Sequence, residues 1–156
     1  METFVQLPEG YSPNGIDIDS AGKNIFVALY SKPNALGKIN IATKALINIA
    51  LPAHESVGAD GLYFYNNALI AVQPFGKDRA ITQYTLDKSL TKVESIKVLL
   101  PDAGFLIQPT TGVIKDKELY FIANSQLQKF ARLWSEKNGA VNPDELAPVK
   151  IAKIQL

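Results

Sequence analysis

Three glycines in this sequence each follow a side chain whose oxygen is able to bind a metal ion. The three residues are Asn14, Asp60 and Thr111, and the glycines are Gly15, Gly61 and Gly112. The glycines lie 46 and 51 residues apart, a spacing typical of repeats that are built from four-stranded sheets. Such repeats bring their first strands together, so we expect the three oxygens to converge. Amide and carboxylate oxygens are ligands for Ca²⁺ and Mg²⁺, which makes Asn14 and Asp60 candidate metal ligands.

The predicted cation site is incomplete within one chain. Ca²⁺ takes about six to eight oxygens, so Asn14 and Asp60, with Thr111, would need ligands from a partner or from further repeats. The alternative for Asn14 and Asp60 is the turn-forming role that Asn and Asp commonly take before glycine. Thr is a weak ligand and a good strand former, so a strand role is favoured for Thr111.

His54 is the single histidine of the chain and therefore the one imidazole available as a general base. Imidazole changes its charge near neutral pH, which suits proton transfer. His54 lies in the connection 51–58 that leads to Asp60. The alternative is a solvated loop histidine beside Glu55, since nothing in the sequence orients the ring. The catalytic residue therefore stays unassigned, with His54 as the candidate.

Four side chains are candidates for binding a ligand at the same end of the repeats. Gln73 and Asn124 follow two apolar runs, Thr111 precedes one, and Trp134 lies in the long segment 126–148. A loop of that length in a small domain is usually functional or disordered. The alternatives are that Gln73 and Asn124 are hydrogen-bond partners at strand ends and that Trp134 anchors the loop.

The elements that must position these residues are predicted from recurring strand patterns. After each glycine comes a turn and then an apolar run rich in β-branched and aromatic residues, which predicts a buried second strand. Alternating runs then predict third strands, and runs that end in Leu-Pro predict fourth strands. The predicted second strands are 24–30, 68–72 and 118–123, the third strands 37–41, 81–86 and 149–156, and the fourth strands 46–52 and 95–101. Helix is predicted only within 125–137, as a short helix or an irregular loop.

The recurrence predicts an all-β fold, a β-propeller. The strands of this chain would make up three blades of four strands each. Labelled A to D from the axis outward, the strands run in the order D-ABCD-ABCD-ABC. We interpret residues 1–156 as a single domain with an offset outer strand at 2–8 and blade repeats at 9–57, 58–107 and 108–156. A sandwich of unrelated hairpins would leave this ordered recurrence unexplained.

Composition excludes several classes of protein. The chain has 156 residues, 47% of them hydrophobic and 20% charged, which fits a globular domain and not a disordered or collagen-like chain. A net charge of +1 gives no field that favours nucleic acid or an anionic membrane surface. No apolar run approaches the roughly 20 residues of a membrane span, and no signal peptide is recognised at the start, so the compartment stays unassigned. The lack of cysteine excludes disulfides and Cys-based zinc sites.

Three segments resemble the C-terminal half of six-bladed, calcium-dependent propellers of the gluconolactonase, senescence-marker and paraoxonase type. They are SPNGIDIDSAGKNIFVALYS, GADGLYFYNNALIAVQ and QPTTGVIKDKELYFIANSQ. Strictosidine synthase-like propellers are also similar. The resemblance, which covers about Tyr11 to Asn124, implies that the chain is half of a six-bladed propeller and that Asn14 and Asp60 are Ca²⁺ ligands facing the central tunnel. The family's other ligands come from its N-terminal half, and its catalytic acid/base has no counterpart at Thr110 and Thr111.

A half-propeller would expose two blade faces, so either a second copy of the chain or a missing N-terminal half is expected to close the ring. The first function hypothesis is a gluconolactonase-like, divalent-metal-dependent lactone or ester hydrolase with its site at the central channel. The alternative is a non-enzymatic propeller that binds a ligand or a protein on its channel face.

Overall fold

The computed structural model describes residues 1–31, 33–74, 80–101 and 104–156, and its strands form three sheets. The first sheet contains β1 Ser12–Ile18, β2 Asn24–Tyr30, β3 Ala35–Asn40 and β4 Leu46–Asn48. The second sheet contains β5 Gly61–Tyr65, β6 Ala68–Val72, β7 Ile81–Leu86 and β8 Val93–Leu100. The third sheet contains β9 Gly112–Lys115, β10 Glu118–Ile122 and β11 Ile151–Gln155. Helix α1 Leu127–Glu136 and a 3-10 turn Pro143–Glu145 lie between β10 and β11.

Each sheet is an antiparallel meander in which strands that are consecutive in sequence are neighbours in space. The orders are β1-β2-β3-β4, β5-β6-β7-β8 and, in the third sheet, β9-β10-β11. The all-β class and the threefold recurrence of the sheets are thus confirmed. The third sheet has three strands within the described ranges, which agrees with the expected ABC ending.

Two of the hairpins that join first to second strands have residues suited to tight turns. Asn66 and Asn67 connect β5 to β6 with φ angles of 48° and 60°. A two-residue turn that matches the twist of the strands requires positive φ angles at both residues. Asp116 between β9 and β10 has a φ of 59°. Asn and Asp tolerate this left-handed region better than other residues with a Cβ, which explains their choice at these turns.

Two of the three clusters of the hydrophobic core form layers between sheets. One layer lies between the first and second sheets and includes Phe26, Leu36, Leu69 and Tyr84. The other lies between the second and third sheets and is built from the following residues: Ile70, Val72, Ile81, Leu106, Leu119 and Phe121. Because successive side chains of a strand point to opposite faces, β6 supplies residues to both layers, and all five of its residues are buried.

The first strands of the three sheets lie side by side, with β1 against β5 and β5 against β9. The amide of Gly15 donates to the carbonyl of Ala59 at 3.4 Å. A Cβ at Gly15 would lie 2.7 Å from the backbone nitrogen of Leu62, so this approach of β1 to β5 requires glycine. Gly15 therefore serves the packing between sheets, whereas a Cβ at Gly61 or Gly112 would meet atoms of the glycine's own sheet, at Tyr63 or Tyr120.

The offset outer strand expected at residues 2–8 is not a strand in this chain. No strand in the described ranges pairs with this segment, and instead Val5 and Leu7 pack against the outer face of the first sheet. The fourth strand of the first sheet is also shorter than predicted, since β4 ends at Asn48 and Ala50 then forms an isolated bridge with Lys92 of the second sheet.

Candidate functional site: a polar cluster around Asp60

The carboxylate of Asp60 accepts hydrogen bonds from three different parts of the chain. The Asn14 amide nitrogen donates to Oδ1 at 2.7 Å, and the Tyr30 hydroxyl donates to the same oxygen at 3.1 Å. The Thr110 hydroxyl donates to Oδ2 at 3.4 Å. Asn14 and Tyr30 belong to the first sheet, Thr110 lies just before β9 of the third sheet, and Asp60 itself directly precedes β5 of the second sheet, so the three sheets meet at this carboxylate.

Local backbone structure explains how Asn14 reaches Asp60. The pairing of β1 with β2 shifts its register between Pro13 and Ile16, which marks a bulge at Asn14 and Gly15. A bulge turns a side chain out of the regular alternation of a strand. Asp60 is fixed in turn by its own amide, which donates to the carbonyl of Val72 at 3.0 Å.

Tyr30 is a functional candidate that the sequence interpretation missed. Burial, followed by the negative charge of Asp60, raises the pKa of Tyr30 to about 12. The phenol therefore stays protonated at neutral pH and acts as a hydrogen-bond donor to Asp60 and not as a base. Tyr30 lies opposite Ser12 in the β1–β2 register, so alignment of this hairpin alone would have placed it near Asn14.

Thr111 makes a different contact from the one predicted. Its hydroxyl lies 3.3 Å from that of Tyr63, and the amide of Gly112 also donates to the Tyr63 hydroxyl. Thr110, and not Thr111, is the residue of this connection that reaches Asp60. The three repeat starts thus converge, but the third contributes the neighbouring threonine.

A cleft of about 470 Å³ opens between the first strands of the three sheets. Its lining includes the Asp17 carboxylate, the Tyr63 ring and Val113. Oδ2 of Asp17 accepts the backbone amide of Phe64 at 2.7 Å, so this carboxylate also ties the first sheet to the second. The cleft is large enough for a small organic molecule and has both polar and apolar walls.

His54 is exposed and lies in a turn in which its φ is 66°. The turn is closed by the Glu55 amide, which donates to the carbonyl of Pro52 at 3.1 Å. In the described part of the chain, no hydrogen bond joins His54 to Asp60 or to Asn14. The structure therefore does not orient His54 toward the cluster.

Gln73 and Asn124 are both buried at strand ends, where they bond to their own surroundings. The Gln73 amide nitrogen donates to the Thr82 hydroxyl at 3.1 Å. Asn124 accepts the amide of Lys150 at 2.6 Å and donates to the carbonyl of Pro148 at 2.9 Å. Asn124 thus holds the chain where it re-enters the third sheet as β11.

The long segment between β10 and β11 is anchored by Gln126, a role that the sequence did not reveal. Its side chain exchanges two hydrogen bonds with the backbone of Ala147, at 2.7 and 2.9 Å. In the helix that follows, Leu133 is buried, whereas Phe130 and Trp134 contact each other and remain partly exposed, Trp134 at 54%. Trp134 also packs near Gly139, at the end of the helix.

The donor set around Asp60 suits a hard cation in type but not in number. Among the described residues, Asp60 supplies the one carboxylate of the cluster, and the side-chain amide of Asn14, which donates to Asp60, also carries an oxygen. Within the residues that the structure describes, no group of three or more His, Cys, Asp or Glu side chains is placed to hold a metal ion. A cation here would therefore need further oxygens beyond those of this cluster.

Comparisons of the chain with protein-family models, curated proteins and solved structures found no match. A search of the described residues for membrane spans found no helix that is long and apolar enough to cross a bilayer.

Proposed function

We propose that this chain forms half of a six-bladed β-propeller and binds a divalent cation at Asp60 and Asn14 for the hydrolysis of a lactone or an ester. The observation that carries the proposal is the convergence of Asn14, Tyr30 and Thr110 on the Asp60 carboxylate. Three consecutive meanders whose first strands contact each other in chain order support the propeller architecture. The gluconolactonase-like sequence pattern supports the choice of Ca²⁺.

In this proposal the residues of the cluster have separate roles. Asp60 and Asn14 hold the cation, which when bound supplies a Lewis acid that polarises the substrate carbonyl. Tyr30 donates to Asp60 and fixes the orientation of its carboxylate. The adjacent cleft, lined by Asp17 and Tyr63, receives the substrate.

Calcium dependence of thermal stability tests the cation site. Thermal melts with Ca²⁺ and with a chelator are compared for the wild-type chain, Asp60→Asn and Asp87→Asn. Asp87 is the matched control because its carboxylate also accepts several hydrogen bonds, from Ser89, Thr91 and Lys92, but within a single hairpin. We expect Ca²⁺ to raise the melting temperature of the wild type and of Asp87→Asn but not of Asp60→Asn.

The hydrolase part of the proposal is tested separately, by release of acid from a set of simple lactones and aryl esters. Activity that needs Ca²⁺ and is lost in Asp60→Asn but not in Asp87→Asn is the expected result. Calcium binding without hydrolysis of any of these compounds would leave the cation site standing and contradict the enzymatic role.

The second candidate function is a non-enzymatic propeller that binds a ligand or a protein through the segment 126–148. The observation that favours it is the exposed apolar side of α1, formed by Leu127, Phe130 and Trp134. Replacement of Trp134 by Ala would then abolish ligand binding but leave the calcium response unchanged. Tryptophan fluorescence reads ligand binding by the wild-type chain directly, because Trp134 is the only tryptophan of the chain, and titration calorimetry compares the wild type with Trp134→Ala.

A further inference from the structure

Among the described residues, nothing covers the outer face of the third sheet and no strand pairs with its last edge, β11. Ile151 on β11 is 66% exposed and Val113 on β9 is 59% exposed. The corresponding third strand of the second sheet, β7, has four of its six residues buried. Exposed apolar β-structure with an unpaired edge is a surface that proteins normally cover.

The outer side of the first sheet, at the opposite end of the stack of sheets, carries a groove of about 530 Å³. The N-terminal residues Thr3–Leu7 form one wall, and Pro13, Ile16 and Val27 lie on the other sides. Ile16 is 63% exposed there. The groove is thus partly covered by the N-terminal segment and otherwise open.

The N-terminal segment occupies the place of a fourth strand from a preceding sheet. At the end of the first sheet, Ile49 and Leu51 belong to the core shared with the second sheet. At the end of the second sheet, Leu99 and Leu100 belong to the core shared with the third. Val5 and Leu7 pack against the first sheet in the same way. All three segments are followed directly by a proline, namely Pro8, Pro52 and Pro101.

The sheet that would carry this fourth strand must therefore have three strands, a free edge and an apolar face. The third sheet of this chain has these features. We propose that two copies of the chain close on each other, so that residues 3–7 of each copy pair with the β11 edge of the other. The open face of each third sheet then fills the groove on the partner's first sheet.

This arrangement also bears on the Asp60 cluster. Two copies would supply two sets of Asn14 and Asp60 to one central channel, although the contact between the copies does not depend on any bound cation. The proposed assembly rests on the half-propeller architecture proposed above and is independent of the proposed hydrolysis.

The repeat gives a register for the contact between the two copies. Lys97 lies opposite Gln83 in the β7–β8 pair. Ile70 of β6 lies opposite Gln83, and Tyr120 of β10 lies opposite Lys153. When β6 and β10 are superimposed so that Ile70 and Tyr120 coincide, Lys153 takes the position of Gln83. Alignment of Leu7-Pro8 with Leu100-Pro101 makes Phe4 the counterpart of Lys97. We therefore expect Phe4 of one copy to lie opposite Lys153 of the other.

The mass in solution tests the proposal first. Light scattering on the 17.0 kDa chain is expected to give twice that mass. Ile151→Arg and Ile16→Arg each place a charge on one of the two open faces and are expected to weaken dimerisation by about tenfold or more. Val98→Arg is the matched control, because Val98 is 41% exposed on β8 but lies on neither face, and it is expected to stay dimeric. A monomer at tens of micromolar, a larger oligomer, or a dimer that resists both substitutions would overturn the proposal.

Cross-linking tests the strand pairing itself. The chain has no cysteine, so Phe4→Cys and Lys153→Cys chains can be mixed and oxidised without competing thiols. We expect a disulfide-linked dimer that contains one chain of each kind. The control mixture is Phe4→Cys with Lys97→Cys, whose cysteine would lie on the exposed strand β8. Equal cross-linking in the two mixtures would contradict the pairing, even if the chain were dimeric.

The assembly and the proposed cation site fail in distinguishable ways. Loss of the calcium response in Asp60→Asn with the dimer intact concerns the site alone. A monomeric wild-type chain that still responds to Ca²⁺ overturns the two-copy assembly and leaves the cation proposal in place.

Discussion

The second and third sheets share one topology but differ in how much of each is buried. All five residues of β6 in the second sheet are buried, whereas β10 in the third sheet alternates between buried and partly exposed residues. The sequences follow this difference, since β6 reads ALIAV and β10 reads ELYFI. The second strand is thus uniformly apolar in the sheet that has a neighbouring sheet on each face and carries polar residues in the sheet that has one.

The open face of the third sheet is itself divided. Near the β9–β10 hairpin, Glu118 accepts a hydrogen bond from Tyr120 at 2.6 Å and forms an ion pair with Lys153 at 2.6 Å. Toward the opposite end of the sheet, Ile122 and Ile151 are paired in the register and leave an apolar surface. The comparison with β6 therefore indicates that the apolar half is the part that is built to be covered.

The largest expected effect is on side chains in the doubly covered sheet. Ile70→Ala should lower the free energy of unfolding by about 2–5 kcal/mol, because Ile70 is fully buried between the second and third sheets. Ile151→Ala should cost less than about 0.5 kcal/mol in a dilute, monomeric sample. Urea denaturation measures both. Equal costs at low concentration would contradict the difference between the two sheets.

The spacing between sheets is tested next, at the glycines. Gly15→Ala should destabilise the chain by about 1–3 kcal/mol, because its Cβ would press on the backbone of Leu62 in the second sheet. Gly104→Ala is the control, since a Cβ at Gly104 meets nothing within 4 Å. An equal effect of the two substitutions would show that the approach of β1 to β5 is not tightly packed.

The polar ties between sheets should differ in strength. Asp17→Ala removes a charged acceptor of the Phe64 amide between the first and second sheets and should cost about 1.5–3 kcal/mol. Tyr63→Phe removes a neutral acceptor of the Gly112 amide between the second and third sheets and should cost about 1 kcal/mol. Thermal denaturation of both variants gives the order, and a reversed order would contradict this account of the two junctions.

The smallest effect is on tyrosine titration. Burial first and Asp60 second raise the pKa of Tyr30 to about 12, whereas the hydrogen bond to Glu118 is the main cause that raises the pKa of Tyr120 on the open face. Because the folded state holds the Tyr30 proton more tightly, this residue's contribution to stability should decline as pH rises from about 10 to about 12.

Absorbance at 295 nm follows these titrations, and Tyr30→Phe and Tyr120→Phe assign them. Added salt should lower the Tyr120 pKa less in Glu118→Gln than in the wild type. The substitution Asp60→Asn should lower the Tyr30 pKa only in part, because Tyr30 stays buried. A Tyr30 pKa that returns fully to its ordinary value in Asp60→Asn would show that charge, and not burial, is the main cause.

The recurring pattern in the sequence predicted much of the fold because each sheet is local in sequence. Predicted second strands such as 68–72 and third strands such as 81–86 coincide with β6 and β7. Of the two alternatives for 125–137, a short helix or an irregular loop, the structure has the helix, at Leu127–Glu136. The prediction of a strand at 2–8 was wrong for this chain, because strand formation in this segment depends on a neighbouring strand and not on the segment's own residue pattern.

The candidate site was predictable only where the residues mark the repeat. Asn14 and Asp60 stand before glycines, and the structure brings them together. Tyr30 reaches the same carboxylate because of the register of the β1–β2 hairpin, and Thr110 because of the path of the chain before β9. Neither the register nor the path can be read from a single position in the sequence. Gln126 adopts a left-handed φ of 55° before α1, a conformation that its residue type does not favour.

The two ends of the stack of sheets are unlike surfaces, so any contact between them runs head to tail. Such a contact repeats without limit and produces a fibre, unless the rotation from sheet to sheet returns the last surface to the first. In the proposed two-copy assembly we expect that rotation to depend on how closely the first strands approach, and at Gly15 the approach leaves no room for a methyl group. A larger residue at this position is therefore expected to convert the proposed closed pair of chains into an open-ended polymer.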